Sequence, residues 1–330
     1  MGTLNASNKL TIVDLANQIA PNGDLVTIAE ALQEENEMLL DAVYQEANDV
    51  FSHKVVRRAS LPTGTHRRLG GGVAIESSRT EPFTEQIAML ETYAETDAVL
   101  IDNAPNPEEF RMNQAMAFME GLSQTMAGVM IYGNQTTDSE KIDGFATRLN
   151  ALAATQNVIG AGGSGGDTTS IYGVQWGPRT CTMVYPKGSQ LGIKHTDKGV
   201  VTVSDSTNAI ANASQFEAYR DHFQVFYGIA LQDPRSIFRY ANIESTGTSN
   251  IFDEDDLIRL INRMPRRGSG CVLYVNETIL TQMEIALKDK TNVNYTSSGG
   301  DGLSGDDVIR FKGKPIRKVD AITITETVVA

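Results

Sequence analysis

The sequence predicts an α+β fold, and three features carry that prediction. A basic segment beginning at Lys54 alternates with a period of two, as a strand does. A helix over 107–131 sets six apolar residues, five of them methionines, on one stripe. Downstream of residue 170, short strand-like runs are followed by two amphipathic helices and then by closing strands. The chain has 330 residues, 41% hydrophobic and 21% charged, so it can bury a core in about two domains.

Taken in order, Thr11–Ile19 is a short amphipathic helix stopped by Pro21-Asn22-Gly23. Asp24 caps a second helix, with Leu25, Ile28, Leu32, Leu39 and Val43 on one face and Glu30, Glu34, Glu35 and Glu37 on the other. The ribbon from Lys54 breaks at Leu61-Pro62-Thr63-Gly64, and its return breaks at Gly70-Gly71-Gly72 and Pro82. Strands of about 12 residues would reach ~40 Å. A two-stranded ribbon of that length is marginal in water by itself. Its bases, Lys54, Arg57, Arg58, Arg67, Arg68 and Arg79, do not belong in a core, so the ribbon needs a neighbour.

Residues 87–101 are apolar enough to return to the core. Asn106, Pro107, Glu108 and Glu109 form a helix start: a cap, a proline at the first position and acids in the first turn. Met112, Met116, Met119, Leu122, Met126 and Met130 are read as a core-facing stripe. A short helix is expected near Phe145–Leu152, and strands over 170–203 with turns at Pro186-Lys187-Gly188 and Asp197-Lys198-Gly199. His222–Ala230 and Ser236–Ile243 read as a hairpin turned at Gln232-Asp233-Pro234. Asp253 caps a helix over 254–263, Cys271–Val275 is a buried strand and Thr278–Lys288 a helix. Residues 296–307 form a loop, and Val308–Phe311, Gly313–Arg317 and Ile322–Val328 are closing strands.

Chemistry-bearing motifs are weak. The net charge of −13 opposes nucleic-acid binding. Cys181 and Cys271 lie in apolar runs and read as buried free thiols. No secretion signal opens the chain, and no run approaches the ~18 apolar residues a membrane helix needs. Gly160–Gly165 matches a dinucleotide pattern, but strand-like residues follow it and no acid lies at the required distance. Ser164 sits in a formal Gly-x-Ser-x-Gly match whose flanks are too glycine-rich to hold a strained nucleophile. His53, His66, His195 and His222 have no metal-ligand spacing, and Asp253–Asp256 lacks the glycine and final glutamate of a calcium loop. No catalytic residue, cofactor or metal is expected.

Leu61–Leu69 (LPTGTHRRL), Met89–Asp97 (MLETYAETD), Ala117–Leu122 (AFMEGL) and Ile131–Asn134 (IYGN) resemble the major capsid proteins of epsilon15-like and Bordetella-phage-like short-tailed phages. Tyr185–Ser189, His222–Ala230 and Arg239–Ile243 resemble the same family, in order along almost the whole chain. The resemblance implies a Hong Kong 97-type capsid fold. Residues 1–52 would be an N-terminal arm and 53–88 an extended loop lying over an adjacent subunit. Residues 89–135 would form a peripheral domain with its spine helix at 107–131. Residues 136–199 would be axial strands with the Gly-rich loop, 200–245 a peripheral hairpin and 246–330 the axial domain, a permuted order. The implied partners are further copies in pentamers and hexamers, a scaffolding protein, a portal at one vertex and enclosed double-stranded DNA, with a cement or decoration protein left open. The implied location is the virion, assembled in the host cytoplasm. Lys54, Arg57, Arg58, Arg67 and Arg68 are expected to make inter-subunit contacts, with Glu34, Glu35 and Glu37 or the acids at 253–256 as partners. The rival readings are a decoration or other structural virion protein, and a hydrolase using Ser164.

Overall fold

The computed structural model describes residues 34, 36–153, 157–204, 215–289, 295–298 and 308–330. The helix expected at 11–19 lies outside these residues. So does Glu35, and so does most of the helix expected after Asp24, of which Met38–Asp41 (α1) is helical. The described residues form two compact bodies: one holds 34–88, 127–189 and 227–330, the other 89–126 and 190–226.

The larger body is built on a seven-stranded sheet. Its middle strands are Thr168–Gln175 (β6), Ile237–Glu244 (β10) and Cys271–Val275 (β11), with β6 antiparallel to both others. Val158–Gly160 (β5) runs parallel to β10 at one edge. Lys314–Lys318 (β14) runs parallel to β11, and Val308–Phe311 (β13) and Tyr295–Ser298 (β12) follow antiparallel at the other edge. Every residue of β6 is buried, its polar Thr168, Thr169, Ser170 and Gln175 included. At Gly173 a Cβ would lie 2.1 Å from the Phe238 ring, so the glycine is there to admit that ring.

Helix α5, Glu254–Arg263, buries Leu257, Leu260 and Ile261 against this sheet, the i, i+3, i+4 stripe of an amphipathic helix. Each such side chain is worth about 1.5–3 kcal/mol when fully buried. Asp253 caps the helix as expected, accepting from the Asp255 amide at 3.0 Å. Helix α6, Glu277–Asp289, adds Ile279 and Met283 to the same core. Cys271 and Cys181 are buried free thiols, each pushed up to about 12 by burial, so neither offers a thiolate.

One expected strand pairing and one expected strand are corrected here. Gln215–Leu231 (β9) and β10 are not partners in a hairpin. The last residues of β9 pair with Cys181–Tyr185 (β7), while β10 enters the sheet between β5 and β6. The corner between them is a single 3-10 turn at Pro234–Ser236, capped by Asp233. Seven of the eight residues of β10 are buried, so its backbone N–H and C=O groups must be paired within the sheet, and β5 and β6 supply those partners at its two edges. Ile322–Val328 is not a strand either. The tail is held by individual groups: the Glu326 amide donates to Thr168 O, and Asn242 bonds both the amide and the carbonyl of Val329.

Glu326 is also the centre of a buried polar cluster. Its carboxylate lies 2.7 Å from Arg239 Nη2 and accepts from Tyr132 at 2.6 Å, Tyr172 at 3.0 Å and the Ser170 hydroxyl. Arg239 in turn donates to Ser170 Oγ at 2.9 Å and to Leu149 O at 3.2 Å. Burial, and then the Glu326 charge, raise the pKa of both tyrosines, so both stay protonated and donate.

In the smaller body, Lys194–Ser204 (β8) pairs antiparallel with the first half of β9, and Ala88–Asp97 (β4) lies on the other side of β9. Asp197-Lys198-Gly199 is a bulge within β8, not a turn between strands. Gly199 takes φ +70° and its amide donates to Asp197 Oδ1 at 2.7 Å. Ala98–Asp102 (α2) and the start of the long helix Pro107–Tyr132 (α3) bury Leu100, Ile101, Ala104 and Phe110. Asn106 and Glu109 cap α3 reciprocally, through Asn106 Oδ1 on the Glu109 amide at 3.4 Å and Asn106 Nδ2 on the Glu109 carboxylate at 3.0 Å. The methionine stripe is not core throughout. Leu122 and Met130 are buried, whereas Met112 is 62%, Met116 40% and Met119 36% exposed. The six residues are spaced by 4, 3, 3, 4 and 4, and Phe110, Ala127 and Ile131 supply buried contacts in their place.

Removing one member of a buried ion pair strands the other. Glu326→Ala is therefore expected to lower the unfolding free energy of the unassembled subunit by about 3–5 kcal/mol in a urea titration. Arg239→Met with Glu326→Leu should lose distinctly less, and equal losses would show that the pair is not coupled.

Candidate functional site

The basic ribbon folds as two antiparallel strands, Ser52–Ser60 (β2) and Arg79–Gln86 (β3), from Ser52 opposite Gln86 to Arg58 opposite Thr80. The register slips between Arg58 and Ser60. Residues 61–78 carry no strand, and every residue from 61 to 82 is exposed except Gly71. The ribbon is thus an arm with a root and an apex of different character.

The root is fixed. Val55 packs with Ala47, Val184, Ala230 and Ile87. Asn48 clasps Lys54 through both backbone groups at 2.8 Å. Arg57 donates to Gln232 O at 3.1 Å and to Leu231 O, and its guanidinium lies 4.2 Å from the Phe83 ring centre. Burial holds its pKa below the usual arginine value. On β3, Glu85 takes a two-pronged bond from Arg148 at 2.9 and 2.7 Å, and Arg148 also donates to Asp143 O at 2.9 Å. Residue spacing gives no sign of either contact, since the partners are far apart in the chain.

Among the described residues the apex bonds only to the arm itself. Arg58 donates to Ser78 Oγ at 2.8 Å, the Arg79 amide to Ser60 Oγ at 3.1 Å, and Thr63 Oγ1 to Glu76 at 3.2 Å. Leu61 is 73%, Leu69 99% and Ile75 101% exposed. Apolar side chains this exposed, grouped on one arm, mark a surface that another molecule covers.

The structure separates the expected contact residues. Lys54, Arg58, Arg67 and Arg68 are exposed, whereas Arg57 is bonded within its own chain. Glu34 is exposed, Glu35 lies outside the described residues, and Glu37 bonds Arg317 at 2.7 Å. Of the acids at 253–256, Asp253 caps α5 and Asp256 pairs with Arg259 at 2.7 Å. Ser164 is exposed on the glycine loop. Among the described residues no group of His, Cys, Asp and Glu could hold a metal ion, and no helix is long and apolar enough to cross a membrane.

A family model described as major capsid protein GP7 matches residues 20–330. The chain belongs to the GP7 family of major capsid proteins. A solved structure of bacteriophage Epsilon15, derived from cryo-EM and modelling, is 30% identical with a TM-score of 0.71, covering 99% of this chain and 99% of that one. The capsid of bacteriophage JBD30 is 10% identical with a TM-score of 0.46, over 90% of this chain and 95% of that one. No curated protein matches the chain. The fold of this major capsid protein is of the Hong Kong 97 type, and the protein builds a phage shell rather than catalysing a reaction. It associates with copies of itself and is located in the virion.

His53 gives the root of the capsid protein's arm a pH dependence. The ring is 6% exposed, and its Nδ1 accepts the Asn48 amide at 3.3 Å, which requires that nitrogen to be unprotonated. Burial holds its pKa below the ordinary 6.5, against the opposing pull of Glu85. Well above pH 6.5 the ring is neutral folded or unfolded, and its contribution to stability is intact. Below that pH the unfolded chain takes up the proton first, and stability falls until the folded ring also titrates. NMR titration of the unassembled subunit should give a His53 midpoint below 6.5. His53→Gln should flatten the fall in stability between pH 7 and pH 5. A midpoint at or above the ordinary value contradicts the account.

Proposed function

We propose that this capsid protein closes into pentamers and hexamers of an icosahedral head around double-stranded DNA, with the arm at 53–88 lying over an adjacent subunit. The observation that carries this reading is the contrast between a clamped root and an apex whose large apolar residues are exposed, Leu69 and Ile75 fully. Lys54, Arg58, Arg67 and Arg68 carry the arm's charge to the neighbour, where Glu34 and Glu35 are candidate acceptors for the bases nearer the root. Arg57 acts at the root, and Glu37 steadies Arg317.

In this reading 1–52 is the N-terminal arm, 89–135 and 200–245 belong to the peripheral domain, and 136–199 and 246–330 to the axial domain, in permuted order. The long helix is the spine. Assembly takes place in the host cytoplasm with a scaffolding protein, and a portal occupies one vertex. The net charge of −13 supports enclosure of DNA without sequence-specific binding.

Single exposed ion pairs are worth only about 0–1 kcal/mol, so the arm's charges act through repetition around the shell. Electron microscopy of the chain co-expressed with a scaffolding protein should show closed heads. Arg58→Glu with Arg68→Glu should cut their yield at least several-fold while the subunit stays folded by circular dichroism. Normal heads from that variant would remove the charge role, and no closed particles from the unaltered chain would remove the shell reading.

A further inference from the structure

The smaller body contains a pocket of about 390 Å³ beside the start of α3. Met112, Ala115 and Met119 line one part of it, and Phe223 and His195, stacked at 4.8 Å, line another. Arg111 Nη2 bridges Asp197 Oδ2 and Asp221 Oδ1, at 3.0 Å from each. Asp221 Oδ1 is also 2.9 Å from His195 Nε2. Glu108 completes the lining, so three carboxylates face one guanidinium. Asp221 is enclosed by its partners, with 12% of its side chain exposed, whereas the Asp197 side chain is 49% exposed and open to a further cation.

This is an apolar pocket with a surplus of negative charge. The arm apex offers the complement: Arg67 and Arg68 followed at once by Leu69, all exposed, with Leu69 at 99%. We propose that the pocket receives the arm apex of a second copy, with Leu69 between Met112 and Met119 and with Arg67 and Arg68 against Glu108 and Asp197. The proposal rests on the arm reading above and names the place where that arm ends. Methionine walls suit it, because an unbranched thioether adapts to a seat whose shape varies from one copy to the next. Insertion takes a fully exposed leucine out of water, and the flanking charges fix its register, which is the arrangement of an anchor residue inside a polar rim.

The test uses assembled shells of the full chain with benzoylphenylalanine in place of Leu69. Irradiation followed by peptide mass spectrometry should join position 69 to residues 107–119, 194–197 or 221–223 of another copy. Cross-links that map elsewhere on a neighbouring copy, or to a different protein, overturn the proposal while leaving the shell reading intact. Particles that fail to form from the unaltered chain would sink the shell reading itself. As an independent arm, Glu108→Lys with Asp197→Lys should lower particle yield at least tenfold, and adding Arg67→Glu with Arg68→Glu should restore it. Failure of that restoration in a folded subunit also counts against the pocket.

Discussion

The arm cannot satisfy itself, and the rest of the structure follows from that constraint. A two-stranded ribbon has no second layer, so its apolar side chains stay in water until another surface arrives. Leu61, Leu69 and Ile75 are exposed for this reason. What the chain can do alone is aim the ribbon. Arg57 on two backbone carbonyls, Glu85 on Arg148 and Val55 in its small apolar cluster fix the direction at the root. Beyond the slip at Arg58 and Ser60 the described contacts are those of the arm with itself.

The same division between fixed and available groups runs through the larger body. Its sheet is buried around β6, and its tail is pinned by the Glu326 carboxylate, which is bonded by Arg239 and by the hydroxyls of Tyr132, Tyr172 and Ser170. Such a cluster is weak evidence for added stability, because desolvating two charges opposes their attraction. It does pin the tail, since a buried Arg239 or Glu326 left without the other would carry an uncompensated charge. A shell subunit gains from this asymmetry: a body of one shape, and contact surfaces that are each modest and can be corrected during assembly.

Local signals in the sequence were legible where the physics is local. The helix expected at 107–131 runs from Pro107 to Tyr132, because Asn106, Pro107 and the following acids satisfy its first amides and its charge. The cap at Asp253 and the strand at Cys271–Val275 are likewise set by neighbouring residues. Pairing was not legible: β9 and β10 are adjacent in sequence, yet β10 is buried throughout and pairs with β5 and β6 instead. Nor could spacing show that Arg57 and Glu37 are used inside the chain, or that Arg111, His195, Asp197 and Asp221 meet at one pocket. Those contacts depend on tertiary placement, and the only signal available was charge in unusually apolar surroundings.

The central claim is that the apex of the arm is uncovered in the subunit and covered in the shell. Hydrogen–deuterium exchange of residues 61–78, compared between free subunits and assembled particles, measures this directly. The account predicts rapid exchange in the subunit and strong protection in the particle, with the root at 52–58 protected in both. Equal, rapid exchange of the apex in both states would contradict it.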